Sequence, residues 1–361
     1  MKIAVTSCSD PFEHTKQEVW ARIAQAEPDH LILLGDQIYM DYGPKIVSMF
    51  WSDPANGAPA EFSDVEFAAH MYARYVAQWR CMQGSGLWEL PSLKVHGIWD
   101  DHDFAWNNSF GAGVDNPCKS KKYRPVPLSK QQVTRALFRQ FFSNLRATMY
   151  PANTLLTQTR IDALNEDLTQ AVYFSDLPCT GAGYGFVKLD KGINLLLTDG
   201  RTFRTAQQRP ASNGTMLGGP QMDWLKSSIK HNTKTTNAIT LIASGCTLGN
   251  GPERWEKYKD HDDLLSFLRQ QESPRVLLLS GDMHRTEVLD QYAPHLIEIM
   301  ASGAARPFGN WSPWRASRGN FALCEISESS VQVTLREGES MSWIGSTRVR
   351  TIDRDTWRLR R

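Results

Sequence analysis

The sequence predicts a mixed α/β layered fold, on three observations. Short β-type runs alternate with amphipathic helical stretches over the early part of the chain, and the end of the chain is rich in strands. Hydrophobic residues make up 41% of 361, an ordinary share for a globular domain. The elements follow in order. Ile3–Ser7 is the first strand, opening directly after Met1 and Lys2. A helical stretch, Thr15–Ala26, leads to the strand Leu31–Leu34. Asp64–Gln83 reads as a helix, because Val65, Ala68, Met71, Tyr72, Tyr75, Val76 and Trp79 recur at helical spacing. Ser63 followed by Glu66 fits a capping box at its start. The strand Lys94–Trp99 and the helix Lys130–Ala147 come next, then strands Phe186–Leu189 and Ile193–Thr198. Helices Gln221–His231 and His261–Gln271 flank the strand Ala238–Ser244. Four strands close the chain: Arg275–Ser280, Leu296–Ala301, Phe321–Ile326 and Val331–Leu335, the last two joined by a hairpin around Ser327–Ser330. Asn107–Ser129 and Ala304–Gly319 read as loops. No repeat or linker divides the chain, so residues 1–361 are expected to form one domain.

Forty Lys and Arg against 39 Asp and Glu leave a net charge of +1, so no overall field favours nucleic acid or an anionic membrane. No apolar run approaches the roughly 18 residues of a membrane span. Met1-Lys2 leads straight into Ile3-Ala4-Val5, too short for the apolar core of a signal peptide, and a cytoplasmic location is expected. The six cysteines are scattered without a CxxC pair, which argues against a disulfide framework or a zinc ribbon. Cys81, Cys118, Cys179, Cys246 and Cys324 read as small buried hydrophobes; Cys8 is the exception. Lys119, Lys121, Lys122 and Arg124 form one short basic cluster, read as a solvated loop rather than a nucleic-acid groove.

The chemistry lies at the strand ends. Ile3–Ser7 is followed by Cys8-Ser9-Asp10, Leu31–Leu34 by Gly35-Asp36-Gln37-Ile38-Tyr39, Lys94–Trp99 by Asp100-Asp101-His102-Asp103, and Arg275–Ser280 by Gly281-Asp282-Met283-His284. In α/β sheets, ligands bind outside the carboxyl ends of the strands. Four strand ends would bring carboxylates, a thiolate, a phenolate and imidazoles together, enough donors for two metal ions. Each residue alone has a plainer reading: Asp36 as a turn or cap residue, Cys8 as a buried thiol, Tyr39 as core. Three carboxylates within Asp100–Asp103 repel one another, however, and require compensating cations. Arg201 and Arg204 offer guanidinium forks that match phosphate oxygens; the equal alternative is a buried pair with Asp199. Trp255 and Tyr258 read as helix-face packing, and the Trp/Arg loop 306–315 as cover over a sheet.

With these blocks in place, the sequence resembles the PhoD-like (alkaline phosphatase D) group of the purple-acid-phosphatase-type metallophosphoesterases. The matching text is Ser7-Cys8, Gly35-Asp36-Gln37-Ile38-Tyr39, Trp99-Asp100-Asp101-His102-Asp103 with Asn107-Asn108, Thr198-Asp199-Gly200-Arg201-Thr202-Phe203-Arg204, Gly218-Gly219-Pro220-Gln221 with Trp224-Leu225, and Ser280-Gly281-Asp282-Met283-His284. The resemblance implies a four-layer αββα sandwich carrying a dinuclear centre of Fe3+ and Ca2+. It implies that Asp36 bridges both metals and that Tyr39 and Cys8 bind ferric iron. It implies Asp101 as a ligand of the second metal, and Asp282 and His284 as the paired ligands of a Gly-His-x-His-type motif. Asp in place of the first His suits a hard ion such as calcium. His102 corresponds to the histidine that contacts substrate phosphate, and Arg201 to the Asp-x-Arg arginine. The secretion signal and N-terminal β-sandwich of secreted relatives are not read in this chain. The implied reaction is hydrolysis of a small phosphate mono- or diester by a metal-bridging hydroxide, with His102 stabilising the transition state or protonating the leaving alkoxide. A catalytically silent metal- or phosphate-ligand-binding protein on the same fold is the second reading, against which the full donor set argues. A serine hydrolase is excluded, since no Gly-x-Ser-x-Gly occurs.

Overall fold

In a computed structural model of the chain, the structure describes residues 1–12, 15–41, 58–113, 124–165, 167–168, 172–174, 179–181, 183–206, 214–235, 237–249, 251–305, 319–337 and 347–360. The loop 306–315, Cys118, Lys119, Lys121 and Lys122 lie outside the described residues. The strands are β1 Lys2–Thr6, β2 His30–Leu34, β3 Lys94–Ile98, β4 Val172–Phe174, β5 Cys179–Thr180, β6 Gly185–Asp190, β7 Ile193–Leu197 and β8 Ile239–Ser244, then β9 Val276–Ser280, β10 Thr286–Ala293, β11 Leu296–Ala301, β12 Phe321–Ile326, β13 Ser330–Arg336, β14 Thr347–Asp353 and β15 Arg358–Leu359. The helices are α1 Val19–Gln25, α2 Ala58–Glu61, α3 Asp64–Met82, α4 Asp101–Phe104, α5 Leu128–Ser143, α6 Gln158–Asp162, α7 Gly219–Thr233 and α8 Lys259–Arg269.

Two sheets form, ordered β15-β14-β13-β12-β1-β2-β3-β5 and β10-β11-β9-β8-β7-β6-β4. Three apolar layers separate four layers of structure. Alternation along β1, β2 and β3 sends Ala4, Leu31, Leu33 and Val95 against α1, α3 and α5, where they meet Trp20, Met71 and Phe138. The opposite faces send Ile3, Val5, Ile32, Leu34 and Ile98 toward the second sheet, where they meet Leu195, Leu241, Leu277 and Ile299. Beyond that sheet, Leu196, Ile242 and Leu278 pack on Leu225, Ile229 and Leu264 of α7 and α8. The αββα sandwich is therefore the observed architecture.

The Ser63–Glu66 capping box forms as read, with both reciprocal bonds present, and β12 and β13 form the expected hairpin. The first helix is shorter than its pattern. Gln17 lies ahead of it, with its side chain accepting from Trp20 Nε1 at 2.6 Å and exchanging bonds with Gln78. β10 and β14 had no clear signal, because both lie where burial is partial and their sequences, TEVLDQYA and TRVRTID, mix apolar with charged residues.

His30 Nδ1, at the start of β2, and His96 Nε2, in the middle of β3, meet at 3.0 Å with their rings stacked. Burial and the Lys94 charge push His30 down to about 4, and burial with His30 beside it pushes His96 down to about 3. Both values lie below the ~6.5 of an unfolded histidine, so as pH falls the unfolded chain takes up the protons first. Stability contributed above pH ~6.5 is then lost toward pH ~4, by about 2 kcal/mol for each imidazole at pH 5. The melting temperature is expected to fall between pH 7 and 5, and a His30→Gln/His96→Gln double substitution to flatten that slope. An unchanged slope in the double variant would contradict it.

Candidate metal centre

β1, β2 and β3 run parallel in the first sheet, and β7, β8, β9 and β11 run parallel in the second. Their carboxyl ends deliver the strand-end motifs to one edge, and the two sheets touch there. Ser7 Oγ, after β1, donates across to Ala301 O of β11 at 3.2 Å, and within the second sheet Gly281 N donates to Gly245 O at 3.2 Å. Close approach needs glycine at two of these positions. A Cβ on Gly35, whose φ is +97°, would lie 2.5 Å from Asp100 Cβ, and one on Gly245 would overlap the Asp100 carboxylate.

The donor residues are held in unusual backbone geometry. Cys8, Asp36, Asp282 and His284 have φ of 64°, 53°, 67° and 51°. The left-handed region costs an L-residue roughly 1–2 kcal/mol. Strain at four residues in three of the strand-end motifs marks a site at which side-chain direction matters more than local stability. Cys8 Sγ lies 3.5 Å from Asp36 Oδ2 and accepts from Ser302 Oγ at 3.2 Å, and the Tyr39 hydroxyl is hydrogen-bonded to it. Tyr39 Oη also lies 3.1 Å from His284 Nε2, while Ser302 Oγ accepts from His284 N at 2.9 Å. Asp36, Asp101 and His102, all buried, offer ligand atoms within 4.8 Å of one another. Asp282 is half-buried in the stretch between Gly281 and His284, in the electrostatic field of Glu253, Asp100 and Asp101.

The start of α4 explains its run of acids. Asp100 caps the helix and pairs with Arg201, whose Nε and Nη2 both lie 2.6 Å from Oδ1. Asp103 Oδ1 accepts from Gln37 N and Ile38 N at 2.9 and 3.2 Å, fixing the loop that carries Tyr39. Asp101 Oδ2 accepts from Asn108 N at 2.7 Å. His102 Nδ1 lies 2.6 Å from Asp41 Oδ1, and Asp41 Oδ2 accepts from Asn107 N at 2.8 Å. Burial opposes a charge on His102, yet Asp41, Asp101 and Asp36 outweigh it and hold the imidazole well above its usual range. Burial, with Cys8 beside it, pushes the Asp36 carboxyl well above the usual carboxylate range.

Arg201 and Arg204 are drawn to this edge but do not form the pair with Asp199. Asp199 Oδ1 already accepts from the Arg201 and Thr202 amides and from Trp99 Nε1, and Gln221 clamps its backbone from both sides. Both guanidinium groups are instead buried against carboxylates. Arg201 Nη1 meets Glu253 Oε2 at 2.5 Å, and Arg204 Nη1 meets the same oxygen at 2.9 Å. Arg201, wholly enclosed, thus orients acids rather than presenting a fork to solvent. Tyr258 is more than packing, since its hydroxyl accepts from Arg204 Nε at 2.8 Å. Trp255 is core, its Nε1 bonded to Ser244 Oγ at 3.0 Å. Asp41, Ser302 and Glu253 were not singled out in the sequence; each acts on a residue at least 50 positions away, and nothing local announces that.

A cation fits this donor set. Among the described residues, Asp36 Oδ1 and Asp101 Oδ1 are buried and take part in no hydrogen bond, a state costly for a carboxylate oxygen unless a cation is beside it. Carboxylates, a thiol, a phenol and imidazoles together suit metal ions of mixed hardness.

The sequence profile of the PhoD-like phosphatases matches residues 3–333. The chain belongs to the PhoD-like phosphatase family. It is accordingly a metal-dependent phosphoesterase, with a divalent metal centre implied by the family. Among solved structures it is similar to PhoD at a TM-score of 0.64 and 15% identity, covering 99% of this chain and 71% of that one, which supports the fold. It also matches a dimetal phosphatase from Danio rerio at a TM-score of 0.49 and 11% identity, covering 96% of this chain and 98% of that one. No curated protein matches the chain in sequence. Among the described residues, no helix is long and apolar enough to cross a membrane.

Proposed function

We infer that the chain hydrolyses small phosphate mono- or diesters at a centre of Fe3+ and Ca2+ held by Cys8, Asp36, Tyr39, Asp101, Asp282 and His284. The observation that carries this reading is the pair of buried carboxylate oxygens beside His102, on Asp36 and Asp101, that no hydrogen-bond donor among the described residues satisfies. Asp36, at the meeting point of Cys8 and the Asp101–His102 turn, would be shared between the two ions. Cys8 and Tyr39 would hold iron, and the oxygen-rich side, with Asp101 and Asp282, would suit calcium. When bound, two such ions neutralise phosphoryl oxygens and supply a nucleophile at neutral pH. The protein's own part is positional and protonic. Asp41 fixes the His102 ring through Nδ1 and favours its protonated form, so that His102 stabilises the phosphoryl charge and passes a proton to the departing oxygen. Arg201 holds the Asp100–Asp101 turn from beneath.

The iron assignment has a visible consequence. Tyrosine and cysteine ordinarily lose their protons near pH 10 and 8.5, and burial raises the Cys8 thiol further. Only a strongly charged ion makes both anionic here, and such donors give charge-transfer absorption. Protein purified aerobically without chelator is expected to be purple to brownish, to contain iron by elemental analysis, and to cleave nitrophenyl phosphate mono- or diesters. Tyr39→Phe and Cys8→Ser should each shift or bleach the band. A colourless protein with stoichiometric ferric iron would refute the ligand assignment.

A further inference from the structure

Beneath the centre lies a closed chain of charges that the reaction itself does not use. Arg201 bonds Asp100 at 2.6 Å and Glu253 at 2.5 Å, Arg204 bonds the same Glu253 oxygen at 2.9 Å, and Arg204 Nε reaches Tyr258 Oη at 2.8 Å. Cys246 Sγ and the carbonyls of Ser109 and Glu253 accept further guanidinium bonds. All of these side chains are buried. The charges match: two guanidinium groups against Asp100 and Glu253. The next carboxylate, Asp101, forms a longer ion pair with Arg201 Nη2 at 3.5 Å, outside the usual hydrogen-bond range, and among the described residues its Oδ1 has no hydrogen bond.

We propose that Glu253 is a positioning residue for metal binding: by occupying Arg201 through Nη1, it keeps the guanidinium from capturing Asp101 Oδ1. The geometry carries this. Arg201 is held through Nε and Nη2 by Asp100 and through Nη1 by Glu253, and its ion pair with Asp101, the residue that stands with Asp36 and His102, is longer at 3.5 Å. Without the Glu253 charge the buried network holds an uncompensated positive charge, and Asp101 is the nearest ionised group that could meet it. An oxygen that bonds Arg201 is poorly available to a cation. Groups behind metal ligands commonly change metal affinity by about 10- to 100-fold when altered. The proposal rests on Asp101 being a ligand, as inferred above.

The test is manganese(II) binding to metal-stripped full-length protein, with free ion counted by paramagnetic resonance and folding checked by circular dichroism. Glu253→Gln is expected to weaken one class of site by about 10- to 100-fold. Glu253→Gln/Arg204→Gln, which restores the balance of Arg201 against Asp100, should bind manganese more tightly than Glu253→Gln alone. A merely structural role predicts the reverse, since the double variant loses more contacts. Arg204→Gln alone leaves the network with surplus negative charge and should bind at least as tightly as wild type, a check that stands even if Glu253→Gln does not fold. Wild-type affinity in Glu253→Gln, a double variant weaker than the single one, or weakened binding in Arg204→Gln would overturn the proposal. A wild type that binds no manganese would instead remove the ligand assignment, and this inference with it.

Discussion

Asp36→Asn is expected to abolish phosphoester hydrolysis and to release at least one metal ion while the protein stays folded. The substitution removes the carboxylate that faces both Cys8 and the Asp101–His102 turn. It alters little else. Asparagine tolerates the left-handed backbone, here φ 53°, as well as aspartate does. The packing of Gly35 against Asp100 is untouched. Loss of activity, a lowered metal count and a retained cooperative melting transition, shifted down only by the loss of bound metal, are therefore expected, read by steady-state kinetics, elemental analysis and calorimetry. Near-normal turnover with both metals retained would contradict the bridging assignment.

The second large effect is at His102. His102→Ala should lower turnover by about 10²–10⁴, the range for a positioned acid–base group, with metal content unchanged. The basis is the 2.6 Å bond between His102 Nδ1 and Asp41 Oδ1, together with the field of Asp36 and Asp101 that favours the protonated ring. A charged imidazole is a proton donor and a partner for phosphoryl oxygen, whereas a metal ligand must be unprotonated. The measurement that separates the roles is the metal content of the variant beside its turnover. If metal is lost in step with activity, His102 is a ligand and the acid–base role falls.

Most of the layering was legible because its signal is local. Leu31–Leu34 and Arg275–Ser280 are short apolar runs bounded by Gly-Asp turns, and buried parallel strands leave that imprint. The strand-end motifs were legible for a related reason, since each functional side chain follows its strand within a few residues. What escaped was set by partners remote in sequence. Thr347–Asp353 carries Arg348 and Arg350 at positions that pair with the buried Leu335 and Val333, yet they are exposed, so the alternation fails. For Arg201 the sequence offered a phosphate contact or, equally, a pair with Asp199, its neighbour in the chain; but Asp199 is spent on backbone amides and Trp99, and the guanidinium turns to Asp100 and Glu253. Asp41 sits two residues beyond Tyr39 in the same turn, and only the fold brings it to His102. The four-residue helix at Asp101–Phe104 is too short to leave a periodic signal.

The central claim is that the strand-end cluster holds two metal ions with Asp36 between them. Anomalous diffraction from crystals of protein purified without chelator tests it most directly. The account predicts two peaks on opposite sides of the Asp36 carboxylate, one against Cys8 and Tyr39 and the other against Asp101. A single peak, or peaks away from Asp36, would contradict it.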